Sequence, residues 1–110
     1  MKQIPESDWK TWRKMSNVAL ERFCSDALEG VRAITLREGS THARYRELFA
    51  FLRERDDIIA AIFDDQRRLN AFLQMARALS ENVLHSSEIG KLSEESQAIV
   101  RMLAGIESEP

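Results

Sequence analysis

Proline and glycine are scarce in this sequence. The prolines are Pro5 and Pro110, and the glycines are Gly30, Gly39, Gly90 and Gly105. A β-sandwich or β-barrel needs turn residues about every 8–12 positions together with many β-branched residues, and the sequence has neither. The 110 residues therefore predict an all-α protein, a small bundle of three to five helices with a long central helical region.

The sequence also has few cysteines and a small net charge, and each of these excludes some classes of protein. The single cysteine, Cys24, excludes an intramolecular disulfide and a four-cysteine zinc site. A net charge of −2 with 44% apolar residues excludes a disordered chain. A lone thiol fits a reducing compartment, so we expect a cytoplasmic protein.

Long hydrophobic runs are missing as well. The longest covers residues 58–63, far short of the roughly 18 apolar residues that a membrane span needs. We therefore expect no membrane span. The expected organisation is one helical domain over residues 7–105, preceded by a flexible N-terminus (1–6) and followed by a disordered tail (106–110).

The first helix is predicted from a cap at Ser7 to about Glu38. Gly39 supplies its C-terminal stop, and Ser40 and Thr41 are candidate caps for the next helix. Within this helix Gly30 predicts a close helix contact or a bend. The helix also carries an apolar seam with alternating steps of four and three, formed by Leu20, Cys24, Ala27, Val31 and Ile34.

The second helical region, residues 42–84, carries the strongest periodic signal. A 3-4 repeat that starts at Tyr45 is apolar at nine of twelve positions, and residues 58–63 are apolar on every side, which predicts the centre of the core. An unbroken helix of this length would measure about 64 Å. We therefore expect either a break at Asp56-Asp57 or Asp64-Asp65, with Asp64 favoured, or a homodimer that covers the exposed stripe.

The third region is predicted to be less regular. Residues 85–91 indicate a loop, after which Ser93 is expected to cap a helix over residues 94–104 that stops at Gly105.

Two tryptophans near the N-terminus form the clearest candidate site. Trp9 and Trp12 lie one turn apart and are interleaved with Lys10, Arg13 and Lys14. The pattern fits rings that anchor the first helix against a neighbour, rings that stack on bases, or rings at a membrane interface. Among the functional interpretations we favour a protein-binding surface, because Trp and Arg are enriched at the centres of interfaces.

The four aspartates beside the apolar block form a mirrored charge pattern with nearby arginines. Two copies of the helix that crossed antiparallel at residues 60–61 would place like charges opposite each other. Within one helix, Asp64 with Arg68 and Arg53 with Asp57 are predicted i,i+4 pairs. Adjacent aspartates on a helix diverge, so no metal site is predicted here.

Residues for catalysis are few. The only histidines are His42 and His85, and Glu81 lies one turn before His85. One carboxylate and one imidazole do not fill a metal's coordination shell. Cys24, inside an apolar seam, is expected to be an unreactive, buried thiol. We therefore predict no enzyme activity, no metal and no cofactor.

A nucleic-acid interface is the alternative hypothesis. Residues 32–46 resemble a helix, a glycine-bearing turn and a second helix with basic residues, and the candidate contacts are Arg37, Arg44 and Arg46. The sequence thus predicts a non-catalytic helical protein–protein interaction or adaptor module that acts as a homo-oligomer. The alternative is a small DNA- or RNA-binding regulator that uses these arginines or the basic residues near the N-terminus.

Overall fold

Residues 3–105, the part of the chain that the computed structural model describes, contain five α-helices and one short 3-10 turn. Residues 3–105 are 78% helical and contain no strand, so the predicted all-α bundle is confirmed. The predicted tail, 106–110, lies outside the described residues. The elements are α1 (Glu6–Thr35), α2 (Thr41–Phe63), the 3-10 turn (Arg68–Asn70), α3 (Ala71–Ser80), α4 (Ser86–Ile89) and α5 (Glu94–Leu103).

The start of α1 is set by Pro5, so the prediction of a Ser7 cap is wrong. Pro5 has an extended ψ of 145°, and its carbonyl accepts a hydrogen bond from the Trp9 N–H at 3.0 Å. A proline already has the φ that a helix start requires. Acidic residues in the first turn, Glu6 and Asp8, then suit the positive end of the helix dipole.

The turn between α1 and α2 agrees with the sequence-based prediction at the start of α2 but not at the end of α1. Ser40 caps α2 as expected, because its hydroxyl accepts a hydrogen bond from the Ala43 N–H at 2.9 Å. Gly39 adopts a φ of +120°, which glycine tolerates and other residues do not. However, α1 ends at Thr35 rather than at Glu38.

The first two helices form an antiparallel hairpin. Arg55 lies over the Phe23 ring, with its guanidinium carbon 5.8 Å from the ring centroid, and nearer the turn Phe51 packs against Gly30. A Cβ at position 30 would collide with the Phe51 ring. The prediction of a close helix contact at Gly30 is therefore confirmed.

The long central region breaks after Phe63, as favoured from the sequence. Asp64 is extended, and Asp65 takes a left-handed φ of 53°. The pair Asp56-Asp57 lies inside α2 and does not break it. The predicted Asp64–Arg68 pair is wrong, because the chain leaves the helix between these residues and Arg68 instead binds Glu6 at 2.9 Å.

The remaining helices pack across one end of the hairpin and build the core. The largest fully buried apolar side chains are those of Trp12, Ile62, Met75, Leu84, Ile89 and Val100. The expectation that residues 58–63 form the centre of the core is only half met: Ile58 and Ile62 are buried, but Ala60 and Ala61 are exposed. The reason is that α2 receives its neighbours on one side only.

The C-terminal segments contain one element that the sequence did not predict. The expected loop over residues 85–91 holds the short helix α4, because Glu88 accepts a hydrogen bond from the His85 N–H at 2.8 Å and Ile89 is fully buried. The cap at Ser93 is confirmed by a hydrogen bond from the Ser96 N–H, and Gly105 has a φ of +76° just after α5.

The molecule consists of two parts, which we call the head and the arm. The head comprises residues 3–23 and 58–105, and the arm comprises residues 24–57, the outer half of the hairpin. Ile34 is the one buried residue of the arm. The described chain measures 51 × 33 × 20 Å, and its radius of gyration is 16.5 Å, against about 13 Å for a compact domain of this size. The arm therefore projects from the head.

Candidate interaction surface

The two N-terminal tryptophans lie in the core. Trp12 is fully buried, and its indole Nε1 has no hydrogen-bond partner among the described residues. Trp9 is 6% exposed, because Arg13 and Arg68 cover its ring with guanidinium carbons 5.7 and 5.3 Å from the centroid. Both rings anchor α1 in the head. Their surfaces are occupied by this chain's own side chains.

The cations beside the tryptophans are on the surface. Lys10, Arg13 and Lys14 are all exposed. The five residues predicted to bind a partner are therefore not all on the surface. The two tryptophan rings belong to the core, and the three positive charges are accessible. That these three bind a partner stays a prediction.

The arginines proposed for nucleic-acid contact lie at the end of the arm, where two of them have intramolecular partners. Arg37 forms an ion pair with Glu47. Arg44 donates a hydrogen bond to the Thr35 carbonyl at 2.9 Å, while Arg46 is exposed. Because α1 and α2 run antiparallel and in contact, neither helix stands free to enter a groove along its length. Nucleic-acid binding by these arginines stays a prediction.

The acidic and imidazole groups do not converge. Glu81 forms an ion pair with Arg77 at 3.2 Å, whereas His85 belongs to the cap of α4. Between residues 3 and 105 no three His, Cys, Asp or Glu side chains are grouped so that they could hold a metal ion.

Asp8 is the most deeply buried acid of the described chain and connects α1 to α5. It is 3% exposed and accepts hydrogen bonds from the Ser93 N–H (2.9 Å) and from the hydroxyls of Ser93 and Ser96 (2.6 Å each). Burial acts to raise the pKa of Asp8, but these hydrogen bonds stabilise its charged form, and the net pKa is lowered. Asp8 is thus a structural group with all its donors supplied by α5 and its cap.

A second polar cluster joins α1 to α4. Arg22 donates hydrogen bonds to Glu88 at 2.7 Å and to the Val83 carbonyl at 2.6 Å. Burial tends to raise the pKa of Glu88, and the Arg22 and His85 interactions lower it by more, so the net pKa is lowered. This cluster fixes the segment before α4 against the hairpin.

Two open grooves flank α2. One, with a volume of about 390 Å³, lies at the base of the hairpin and is lined by carboxylates (Asp64 and Asp65) and by Arg77. The other, about 330 Å³, lies where the arm meets the end of α3, and it contains Arg55 with Asp26 and Glu81. Charges of both signs line each groove, so neither has the dominant charge that an ionic ligand would require.

An accessible apolar surface lies on the arm, and we call it the arm face. Its exposed members are large: Leu28 (68% exposed), Tyr45 (66%), Phe49 (59%) and Leu52 (42%). The half-buried side chains of Val31 and Leu48 lie between them. The arm face is therefore formed by Leu28, Val31, Tyr45, Leu48, Phe49 and Leu52.

These six residues lie on one side of the hairpin. With about 100° per residue, Leu28 and Val31 fall on the same flank of α1, and Tyr45, Leu48, Phe49 and Leu52 fall on the flank of α2 that adjoins it. Tyr45 and Leu48 border one cavity together with Thr35 of α1. The opposite flank of the hairpin carries the groove with Glu81, where the chain leaving α3 approaches the arm. The head thus packs on the opposite flank and leaves the arm face uncovered.

Sequence reasoning found part of this surface. Tyr45, Leu48 and Leu52 belong to the 3-4 repeat, and the excess length of that repeat over a compact domain was the signal for an uncovered stripe. Leu28 lies outside the predicted seam of α1, and nothing in the spacing marked it as exposed. Cys24 was expected to be buried, but it is half-buried and lies at the edge of the arm face, one turn before Leu28.

None of the helices within residues 3–105 has both the length and the apolarity that a membrane crossing demands. In comparisons with known proteins, the chain matches no family model, no curated protein sequence and no solved structure.

Proposed function

We propose that the protein is a non-catalytic helical protein–protein interaction module that acts as a homo-oligomer and binds through the arm face. The observation that carries the proposal is the arm face itself, six apolar residues from two helices that the head does not cover. Isolated exposed apolar residues are ordinary, but a contiguous apolar surface of this kind is typical of a binding site. We propose the cytoplasm as its location, because a lone thiol suits a reducing compartment.

The size of the surface supports this proposal. Tyr45 and Phe49 are 66% and 59% exposed, which corresponds to roughly 250 Å² of aromatic surface if each residue offers about 200 Å². Burying that area would contribute roughly 6 kcal/mol per copy. Association costs about 4–15 kcal/mol. The two rings of each copy therefore offset much of that cost, and the four aliphatic members must supply the remainder.

The three exposed cations Lys10, Arg13 and Lys14 are a proposed polar contact for a protein partner of the assembled module. They lie on the head, beyond the arm face along α1, so a partner could contact them while the arm face is occupied.

The mass in solution tests the proposal. Light scattering at micromolar concentration should give a multiple of the 12.7 kDa chain mass. Phe49→Glu should lower the mass to that of one chain, because a charge would be buried in the apolar contact. Leu73→Glu is the matched control: Leu73 is 53% exposed on the head, so its substitution should leave the assembly intact. A 12.7 kDa particle at every concentration would contradict the proposal.

A further inference from the structure

We infer that the occupant of the arm face is the arm face of a second copy, in a closed twofold dimer whose two arms form a four-helix bundle. The inference rests on the proposed function and specifies its partner and its symmetry. Three observations support it: over residues 3–105 the rest of the surface has no second apolar face, the arm is two helices wide, and the arm face has enough area for a dimer interface.

The surface outside the arm face offers no second apolar face within residues 3–105. The other large exposed apolar residues are spread over α1, the turn after it, the 3-10 turn, α3 and α5: Val18, Leu36, Leu69, Leu73 and Met102. A head-to-tail assembly needs two different complementary surfaces on each copy, whereas a twofold dimer needs one surface that matches itself. The chain has one such surface, so the arm face is expected to pair with its own counterpart.

The shape of the arm suits this pairing. Two antiparallel helices side by side present a surface two helices wide. A second identical surface stacked on it gives four helices, each in contact with an antiparallel neighbour. This is the arrangement of four-helix bundles, in which helix axes lie about 8–10 Å apart. The head does not obstruct the contact, because it packs on the opposite flank of the hairpin.

The area is appropriate for a dimer. A standard interface buries roughly 800 Å² per partner. Tyr45 and Phe49 supply roughly 250 Å² of this on the estimate for aromatic side chains. Leu28 and Leu52 are also substantially exposed, at 68% and 42%. The half-buried members and the polar rim along two helices would have to bury the rest.

Cys24 reports on this geometry, because it is the only cysteine in the chain and lies at the edge of the arm face. In a twofold dimer, the two α1 helices are either stacked directly or placed diagonally across the bundle. Their axes are then about 8–10 Å or about 14 Å apart. In the diagonal arrangement the twofold axis runs along the bundle, so the two Cys24 residues lie at the same level. In the stacked arrangement the two α1 helices run antiparallel, and with the axis near Val31 the two Cys24 residues are offset by about 20 Å along the bundle. An assembly in which the arm face binds a different surface would separate the two thiols.

Cross-linking with a flexible bis-maleimide that spans about 20 Å tests the inference at a concentration where light scattering detects the oligomer. We expect one product at twice the chain mass, which disappears with Cys24→Ser and with Phe49→Glu. The double variant Cys24→Ser, Leu73→Cys moves the thiol to the head. It should keep the dimer mass but give no product.

The outcomes separate the inference from the proposed function. An oligomer whose Cys24 residues do not cross-link, or whose mass by light scattering exceeds that of two chains, would overturn the twofold dimer and leave the homo-oligomer standing. A monomer at all concentrations would overturn both. A single cross-linked dimer that survives Phe49→Glu would overturn the assignment of the contact to the arm face.

Discussion

The head and the arm contain similar helices but differ in how they bury apolar side chains. In the head, six large residues from α1, α2, α3, α4, α5 and the connection before α4 are essentially inaccessible to solvent; in the arm, Ile34 is the one buried residue. A helix pair buries one stripe of each helix, whereas a bundle of several helices can enclose side chains on all sides. The arm therefore retains exposed apolar surface, because the head packs on the other side of the hairpin.

The polar contacts show the same contrast. In the head, Asp8 is 3% exposed and accepts three hydrogen bonds from residues more than 80 positions away in sequence. In the arm, the Arg37–Glu47 pair joins side chains that are 58% and 42% exposed. Exposed pairs of this kind contribute about 0–1 kcal/mol. We therefore expect the head to determine the stability of the fold and the arm to determine assembly.

The strongest test of this contrast removes a side chain from the head core. Trp12→Ala should lower the free energy of unfolding by about 3–5 kcal/mol, because it leaves a large cavity. In dilute monomeric protein, Leu28→Ala on the arm should change it by no more than about 0.5 kcal/mol. Urea unfolding followed by circular dichroism measures both. Equal losses for the two variants would contradict the division into head and arm.

A smaller effect is expected for Asp8. Asp8→Ala should cost about 2–3 kcal/mol, because the Ser93 and Ser96 donors lose a charged acceptor in a buried site. The folded-state pKa of Asp8 is lowered, so its contribution is present above the ordinary aspartate pKa of about 3.9 and is lost as pH falls through the folded value.

The pH dependence separates Asp8 from the other acids. The difference in unfolding free energy between the original chain and Asp8→Asn should be constant near neutral pH and should shrink below about pH 4. Asp56→Asn, at an exposed position in the arm, is the matched control. A difference that does not vary with pH would mean that the charge of Asp8 is irrelevant to folding.

The smallest expected effect compares two serines with the same role. Ser40 caps α2 in the arm, and Ser93 caps α5 in the head. Loss of a helix cap costs about 1 kcal/mol. Ser93→Ala should cost about 2 kcal/mol, since the Ser93 hydroxyl also donates to buried Asp8, whereas Ser40→Ala should cost about 1 kcal/mol. Unfolding midpoints of the two variants, measured side by side, give the difference; a greater loss for Ser40→Ala would reverse the expected order.

Local signals were predicted well from the sequence. The caps at Ser40 and Ser93 and the break at Asp64 depend on residues within a few positions of each other, which is why spacing alone revealed them. The start at Glu6 was missed because serine is a preferred N-cap residue and proline is not, so Ser7 was chosen over Pro5. The helix α4 was missed because it is short and depends on burial of Ile89 in the head.

The sequence by itself determined that the chain is helical, that Gly30 marks a close helix contact or a bend, and that its apolar repeat is longer than a compact domain can cover. These properties follow from local conformational preferences and from periodicity. Only the tertiary structure decided that Trp9 and Trp12 are core residues, that Arg37 and Arg44 have intramolecular partners, and that the uncovered apolar residues lie on the arm. Those outcomes depend on which side of the hairpin the later helices occupy, and the energy that selects that side comes from packing between residues far apart in the chain.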